Sequence, residues 1–362
     1  MKNELCAAKY FLGANTPAGF FSKFDQLYDP MDGWFLYIIK GGPGTGKSTL
    51  MKNIAKFAIS KNVETELIYC SSDPNSLDAV IFPTLKTCIV DGTAPHTMDP
   101  KFPGVSDTII NLSDCWDKKK LRSNREAVIL NTLKNSSFHK KSQNYLEAYG
   151  ILNKNTEKIL SNKLEVKKII NYSNNLSKKL FPMQKKQRGK EYIRFLSGIT
   201  PNGITVFDST LSLLSDNIYV VIDKYGVCAN ILMQNLKNNA LNCGIDTIAC
   251  YCPISPNNKI DFLIFPEIKT SFAVSNNNHN MENISNLRKI HCKRFINKDV
   301  LQANQQKIKF NQKLQYELLS EAIYNLRMAK AVHDELEKSY IECMDFSLVD
   351  KLSKTIASEI LK

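Results

Sequence analysis

Gly41-Gly42-Pro43-Gly44-Thr45-Gly46-Lys47-Ser48 fits the pattern G-x-x-x-x-G-K-[ST] at every fixed position. Glycines at this spacing let the backbone wrap round an anion, with amide N–H groups converging at the start of a helix. The chemistry that suits such a loop is the binding of a nucleotide's phosphates. Lys47 is expected to neutralise the β- and γ-phosphates, and the Ser48 hydroxyl to ligate Mg²⁺. The expected nucleotide contacts are therefore Gly41, Gly42, Pro43, Gly44, Thr45, Gly46, Lys47, Ser48 and Thr49. A second carboxylate is needed to hold the metal, and Thr87-Cys88-Ile89-Val90-Asp91 is an apolar strand that ends in one. Asp91-Gly92 also suits a turn. Asp73 follows another strand-like run, either as a catalytic carboxylate or as the N-cap of a following helix. Lys47, Asp73 and Asp91 are thus the candidate catalytic residues. Many ATP-hydrolysing proteins with such a loop place a water-polarising Glu directly after the metal-binding Asp, but here that residue is Gly92. Slow hydrolysis, Asp73 as the base, or help from a partner are the expected consequences. Arg122 or Arg125 could supply a positive finger or could be ordinary surface residues.

The elements around the loop fit its use. An apolar strand, Trp34 to Ile39, precedes it, and a helix carrying Leu50, Met51, Ile54 and Ala58 follows. Further strand-like runs at Glu66 to Cys70 and Thr87 to Val90, separated by a helix and turn residues, predict an α/β domain with a parallel sheet. Self-comparison extends the pattern. Phe11-Leu12-Gly13-Ala14-Asn15-Thr16-Pro17-Ala18-Gly19 recurs as Phe195-Leu196-Ser197-Gly198-Ile199-Thr200-Pro201-Asn202-Gly203, and Asp78 to Pro83 recurs as Asp261 to Pro266. These registers differ by at most two residues, so the chain reads as an internal duplication. The predicted domains are 1–116 with the glycine loop, 117–193 as a basic helical extension, 194–285 as a degenerate counterpart, and 286–362 as a long-helix extension. In the last of these Phe310, Leu314, Leu318, Ala322, Leu326, Ala329, Val332, Leu336 and Tyr340 form one apolar helical stripe, suited to packing on another helix in cis or in a dimer.

The repeat also acts as an internal control. Opposite Gly46, Lys47 and Ser48 stand Cys228, Ala229 and Asn230, and only Gly226 persists, opposite Gly44. Asp91 and Asp73 become Val274 and Ser255. Asp78 persists as Asp261, His96 as His279, and the Thr-Pro-x-Gly segment is retained. What is lost together reads as chemistry; what is kept reads as scaffold.

The formal charge of +13 has an address as well. Residues 117–194 hold 20 Lys+Arg against 6 Asp+Glu, a surplus of +14, and the remainder sums to −1. Lys118-Lys119-Lys120, Lys167-Lys168, Lys178-Lys179 and Lys185-Lys186 are read as a solvated helical face, with nucleic acid possible but not favoured. No apolar run approaches the roughly 18–20 residues of a membrane span, and Met1 to Cys6 is not read as a signal peptide. Ten scattered cysteines without a C-x-x-C pair suit reduced thiols and a cytoplasmic setting, with no membrane partner.

The chain resembles a little-characterised bacterial family of internally duplicated P-loop ATPases. The likeness lies in Thr16-Pro17-Ala18-Gly19, the Gly41 to Thr49 loop, Ser72-Asp73-Pro74-Asn75-Ser76-Leu77-Asp78, Val90-Asp91-Gly92-Thr93-Ala94-Pro95-His96 and His333-Asp334-Glu335-Leu336-Glu337. It covers nearly the whole chain. The family pattern has a P-loop in both halves, and this sequence departs from it in the second. The resemblance implies ATPase activity in the cytoplasm and names no substrate. The expectation is two P-loop NTPase-type α/β domains, each followed by a helical extension. ATP and Mg²⁺ are expected in the first only, with a homo-oligomer or an unknown protein partner possible. A small-molecule or nucleoside kinase and a non-hydrolysing ATP-dependent switch are the alternatives.

Overall fold

A computed structural model describes residues 7–161, 164–181, 187–281 and 287–361. The first half runs through β1 (Ala8–Tyr10), β2 (Gly13–Thr16), β3 (Gly19–Ser22), β4 (Phe35–Lys40), α1 (Lys47–Ser60), β5 (Glu66–Tyr69), β6 (Leu77–Phe82), β7 (Thr87–Asp91) and β8 (Asp107–Asn111). It then passes into α2 (Lys118–Ser123), α3 (Arg125–Ser161) and α4 (Val166–Leu180). The second half runs through β9 (Glu191–Arg194), β10 (Ser197–Thr200), β11 (Gly203–Val206), α5 (Ser209–Leu214), β12 (Asn217–Ile222) and α6 (Ala229–Asn242). It continues with β13 (Thr247–Cys252), β14 (Ser255–Phe265), β15 (Thr270–Ser275), β16 (Leu287–His291), α7 (Lys298–Ile341) and α8 (Phe346–Ile360).

Among the described residues these strands build two six-stranded sheets, ordered β1-β5-β6-β7-β4-β8 and β9-β13-β14-β15-β12-β16, with hairpins β2–β3 and β10–β11 beside them. The same order and the same strand directions occur in both halves. Neither sheet is purely parallel, which corrects the sequence-based expectation. β6 runs antiparallel to both β5 and β7, and β14 does the same between β13 and β15. The cause is connection length: a hairpin at 70–76 and a short turn at 83–86 leave no room for the crossover that a parallel neighbour requires.

The strands are apolar almost without interruption because both faces are covered. Leu36, Ile38, Ile81 and Val90 from one face of the first sheet join Ile218, Val220, Phe262 and Ala273 from the second in a shared core. The opposite faces pack on helices. Ile39, Val80 and Ile89 meet Leu50, Met51 and Ile54 of α1, while Val221, Leu263 and Val274 meet Leu232, Met233 and Leu236 of α6. The halves also touch through a reciprocal backbone pair, Phe11 N–H to Phe195 O at 2.8 Å and Phe195 N–H to Phe11 O at 2.9 Å. Nearby, the buried Arg194 guanidinium reaches Glu66 Oε2 at 3.0 Å.

The helical segments do not fold back on the sheets that precede them. α3 and α7 lie antiparallel along their length, as Asn135 Nδ2 donating to Ala329 O and Asn311 Nδ2 donating to Thr156 Oγ1 show. Each thereby carries its successor to the other half. α4 packs Ile169 into the core around α6, and α8 packs Val349, Ile356 and Ala357 into the core around α1. Equivalent backbone bridges mark the two crossings, Trp116 with Met344 and Leu164 with Ile296. The predicted stripe on α7 packs in cis: Ala322, Leu326, Ala329, Val332 and Leu336 are buried. Phe310 is exposed, and Ile308 and Asn311 take its place, because the buried face rotates as the helix passes from one half to the other. The lysines of 118–120, 167–168 and 178–179 face solvent. Lys185-Lys186 and the segment Met1 to Cys6 lie outside the described residues. Cysteines among the described residues are free thiols, and no described helix is long and apolar enough to cross a membrane.

Because α8 closes the outer face of α1, Ile356→Ala should destabilise the chain by about 2–4 kcal/mol, whereas Ile356→Val should cost about 1 kcal/mol. Urea unfolding would measure both.

Candidate functional site

β4, β5 and β7 are mutually parallel, so their C-terminal ends share one edge of the first sheet. That edge gathers the glycine loop after β4, the Asp73 hairpin after β5, and Asp91 at the end of β7. The loop turns with Gly44 at φ +68° and Gly46 at φ +87°, left-handed values that favour glycine. Thr45 Oγ1 donates to Gly42 O at 2.8 Å. The Lys47 ammonium donates to Gly41 O at 2.9 Å and Gly42 O at 2.7 Å, and lies 3.6 Å from Asp91 Oδ2. Asp91 Oδ1 accepts from the backbone and hydroxyl of Thr93. Ser48 Oγ accepts from Leu77 N at 2.9 Å, and Thr49 is exposed on the first turn of α1. No described side chain accepts from the amides of Gly44 to Ser48. Amides, an ammonium, a hydroxyl and a carboxylate at a helix N-terminus form a donor set suited to a phosphate with a divalent cation between Ser48 and Asp91.

Gly92 has a steric explanation. A Cβ there would fall 2.4 Å from Ile38 Cγ2 and 3.1 Å from Met98 O. The loop beyond it is pinned by Lys40 Nζ, which donates to Gly92 O, Met98 O and Asp99 Oδ1. A glutamate cannot occupy this place unless the Ile38 side chain shifts.

The corresponding loop of the second half has a different occupant. Asp223 stands where the first half has Gly41, and its carboxylate sits inside the turn. Oδ1 accepts from Tyr225 N at 3.3 Å and Gly226 N at 3.1 Å; Oδ2 accepts from Cys228 N and Ala229 N, each at 2.8 Å. The amides that would converge on an external anion are thus satisfied from within. Cys292 stands where Leu112 stands in the first half; there a Cβ on Gly41 would meet Thr45 Oγ1 at 2.8 Å and Leu112 Cβ at 3.2 Å. Asp223, Cys228 and Cys292 lie close enough for metal ligation. The four amides already engage both carboxylate oxygens, and this accounts for the cluster without an ion. Lys259 donates to Gly226 O at 2.7 Å and pairs with Glu157 of α3, giving that loop a cation from the β13–β14 hairpin.

The first loop is packed from outside by the second half. A Cβ on Gly42 would lie 2.5 Å from the Tyr340 ring, and one on Gly44 would lie 2.8 Å from Glu337 O. These glycines therefore admit α7 as well as bending the chain. On the same helix, Lys330 Nζ lies 3.4 Å from Asp73 Oδ2 and pairs with Asp334. His333 Nε2 lies 3.5 Å from Glu337 Oε1. That hydrogen bond, joined by the charges of His333 and Lys330, holds the Glu337 carboxyl below its usual range against the effect of burial. Burial pulls the Lys330 ammonium down, but Asp334 and Asp73 outweigh it and leave the ammonium raised. Asp73 caps no helix. It accepts from Asn75 N and Ser76 Oγ within the β5–β6 hairpin, because β6 follows where a helix was one expectation.

Arg122 and Arg125 are exposed, on the first turns of the α2–α3 segment. His96 is buried against Asp78 at 3.3 Å and stacks on Phe24. Burial opposes its charge, but the hydrogen bond and charge of Asp78, with Asp91 beyond, raise it overall; its place is inside the fold. Sequence reading overlooked Asp223, Lys330, Lys40 and Lys259. Asp223 was visible as the residue aligned with Gly41, and Lys330, His333, Asp334 and Glu337 share one helical face. No family model, curated protein or solved structure matches the chain.

Asp223→Ala should cost about 3 kcal/mol or more, since it strips the acceptors from four amides. Millimolar sulfate should restore part of that loss in thermal unfolding by refilling the turn, and should leave the parent unchanged at this site.

Proposed function

We propose that the protein binds ATP with Mg²⁺ at one P-loop, Gly41 to Thr49, and hydrolyses it. One contrast carries this reading: two halves of the same topology hold the same kind of loop, closed in one by its own Asp223 carboxylate and lined in the other by amides, Lys47, Ser48 and Asp91. The matching order of the two sheets and the residue-level repeats support an internal duplication in which the second site lost its chemistry and kept its fold. The resemblance to duplicated P-loop ATPases agrees with it.

In this reading the amides of Gly44 to Ser48 donate to phosphate oxygens, as they do to no side chain among the described residues. Lys47 exchanges the carbonyls of Gly41 and Gly42 for the β- and γ-phosphates. Ser48 and Asp91 would hold Mg²⁺, whose bound charge polarises the terminal phosphate and lowers the cost of its developing charge. Thr93 orients Asp91 by holding Oδ1 and leaving Oδ2 towards Lys47.

Lys47→Ala should reduce ATP turnover by about 100-fold or more and weaken nucleotide binding, with thermal stability close to that of the parent. Phosphate release and equilibrium binding of a fluorescent ATP analogue measure the two. Parent-like turnover and binding in this variant would refute the reading.

A further inference from the structure

We propose that the nucleotide site is a composite of both halves, in which Lys330, carried by α7 of the second half, is the cation that meets the terminal phosphate. The inference rests on the ATP reading above and names the group that acts beside it. Several observations converge on it. α7 lies directly on the loop, with Glu337 O against Gly44 and Tyr340 against Gly42. Further along the same helix Lys330 reaches Asp73 on the sheet edge that carries Asp91. Asp73, Asp334 and Glu337 stand near the ammonium, with His333 hydrogen-bonded to Glu337, while Lys52 of α1 donates to Asn75 O on the far side of Asp73's hairpin. A half-buried lysine held by two carboxylates keeps its charge and can trade one of them for a phosphate oxygen. Arg122 and Arg125 are exposed and have no such placement.

The second half supplies the contrast. The helix that reaches its loop, α3 of the first half, pairs antiparallel with α7, and the crossings Trp116–Met344 and Leu164–Ile296 set the two helices in register at 180 residues. At that register Lys330 and His333 correspond to Gly150 and Asn153, whereas Glu337 corresponds to Glu157. The helix-borne cation is lost in the half whose loop is filled by Asp223, together with the lysine and the hydroxyl of the loop, and the cation beside that loop is Lys259, which bonds to Gly226 O and Glu157. Gly150 packs on Pro17 instead.

In the step so assigned, a water oxygen forms a bond to the γ-phosphorus. The bond from that phosphorus to the β,γ-bridging oxygen breaks, and its electron pair stays on ADP. Lys330 leaves Asp73 Oδ2 for an equatorial γ-phosphate oxygen and steadies the charge spread over the transferring group. The carboxylate it vacates takes the water's proton, a role that Gly92 cannot fill.

The test compares binding of ADP alone with binding of ADP plus aluminium fluoride, a mimic of the transferring phosphoryl group, to full-length parent, Lys330→Ala and Lys330→Arg in the presence of Mg²⁺. The parent should bind the mimic complex more tightly than ADP. Lys330→Ala should keep its ADP affinity within about twofold and lose about tenfold or more of the tightening, and Lys330→Arg should retain most of it. Full tightening in Lys330→Ala, an equal loss for ADP and for the complex, or no tightening in the parent would each overturn the role of Lys330. A parent that binds no ADP would instead refute the ATP reading and remove the basis for this one. Thermal unfolding of each variant separates these outcomes from loss of fold.

Discussion

Amide N–H groups that converge at a helix N-terminus require an acceptor, and the two halves of this protein meet that requirement differently. In the second half the acceptor is covalently part of the turn: Asp223 gives both oxygens to four amides. In the first half Gly41 occupies that position, Leu112 and Thr45 crowd it against any larger residue, and the lysine that follows bonds to the loop's own carbonyls. The two loops differ in that side chain and in the backbone before the helix, where Gly46 has φ +87° and its counterpart Cys228 has φ −92°.

The antiparallel pairing of α3 with α7 then determines what surrounds the open loop. Each helix crosses to the other half and hands over a short successor, so α1 is covered by α8 and α6 by α4. The first site is therefore enclosed by residues far away in sequence: Glu337, Tyr340 and Phe346 pack on the loop, and Lys330 holds Asp73. The shared core between the sheets and the reciprocal Phe11–Phe195 pair hold the halves in the arrangement that makes this possible. α7 and the loop are in direct contact through Glu337 and Tyr340.

Much of this was legible in the sequence, for physical reasons that can be named. The loop, its preceding strand and its following helix carry local signals, and Asp91 ends an apolar strand as anticipated. The α7 stripe has a helical period that survives in Ala322 to Leu336. The mixed sheet was less legible, because Leu77 to Phe82 is buried on both faces and a continuous apolar run does not reveal its direction. Asp73 lies at the expected edge, and of its two expected roles the N-cap falls away because strand β6 follows it. Asp223 and Lys330 were missed because their roles depend on where a backbone turn and a distant helix bring them. Neither has a local pattern. Even the glycines were only half understood, since Gly42 and Gly44 are shaped by close approach of α7 as well as by the turn.

The central claim is that one loop in each chain is open to a nucleotide and the other is closed by its own carboxylate. Counting Mg·ATP bound per full-length chain, by equilibrium dialysis under non-turnover conditions, tests it most directly. The account predicts saturation at one nucleotide per chain. Saturation at two would contradict the closure by Asp223, and the absence of binding would contradict the cradle at Gly41 to Ser48.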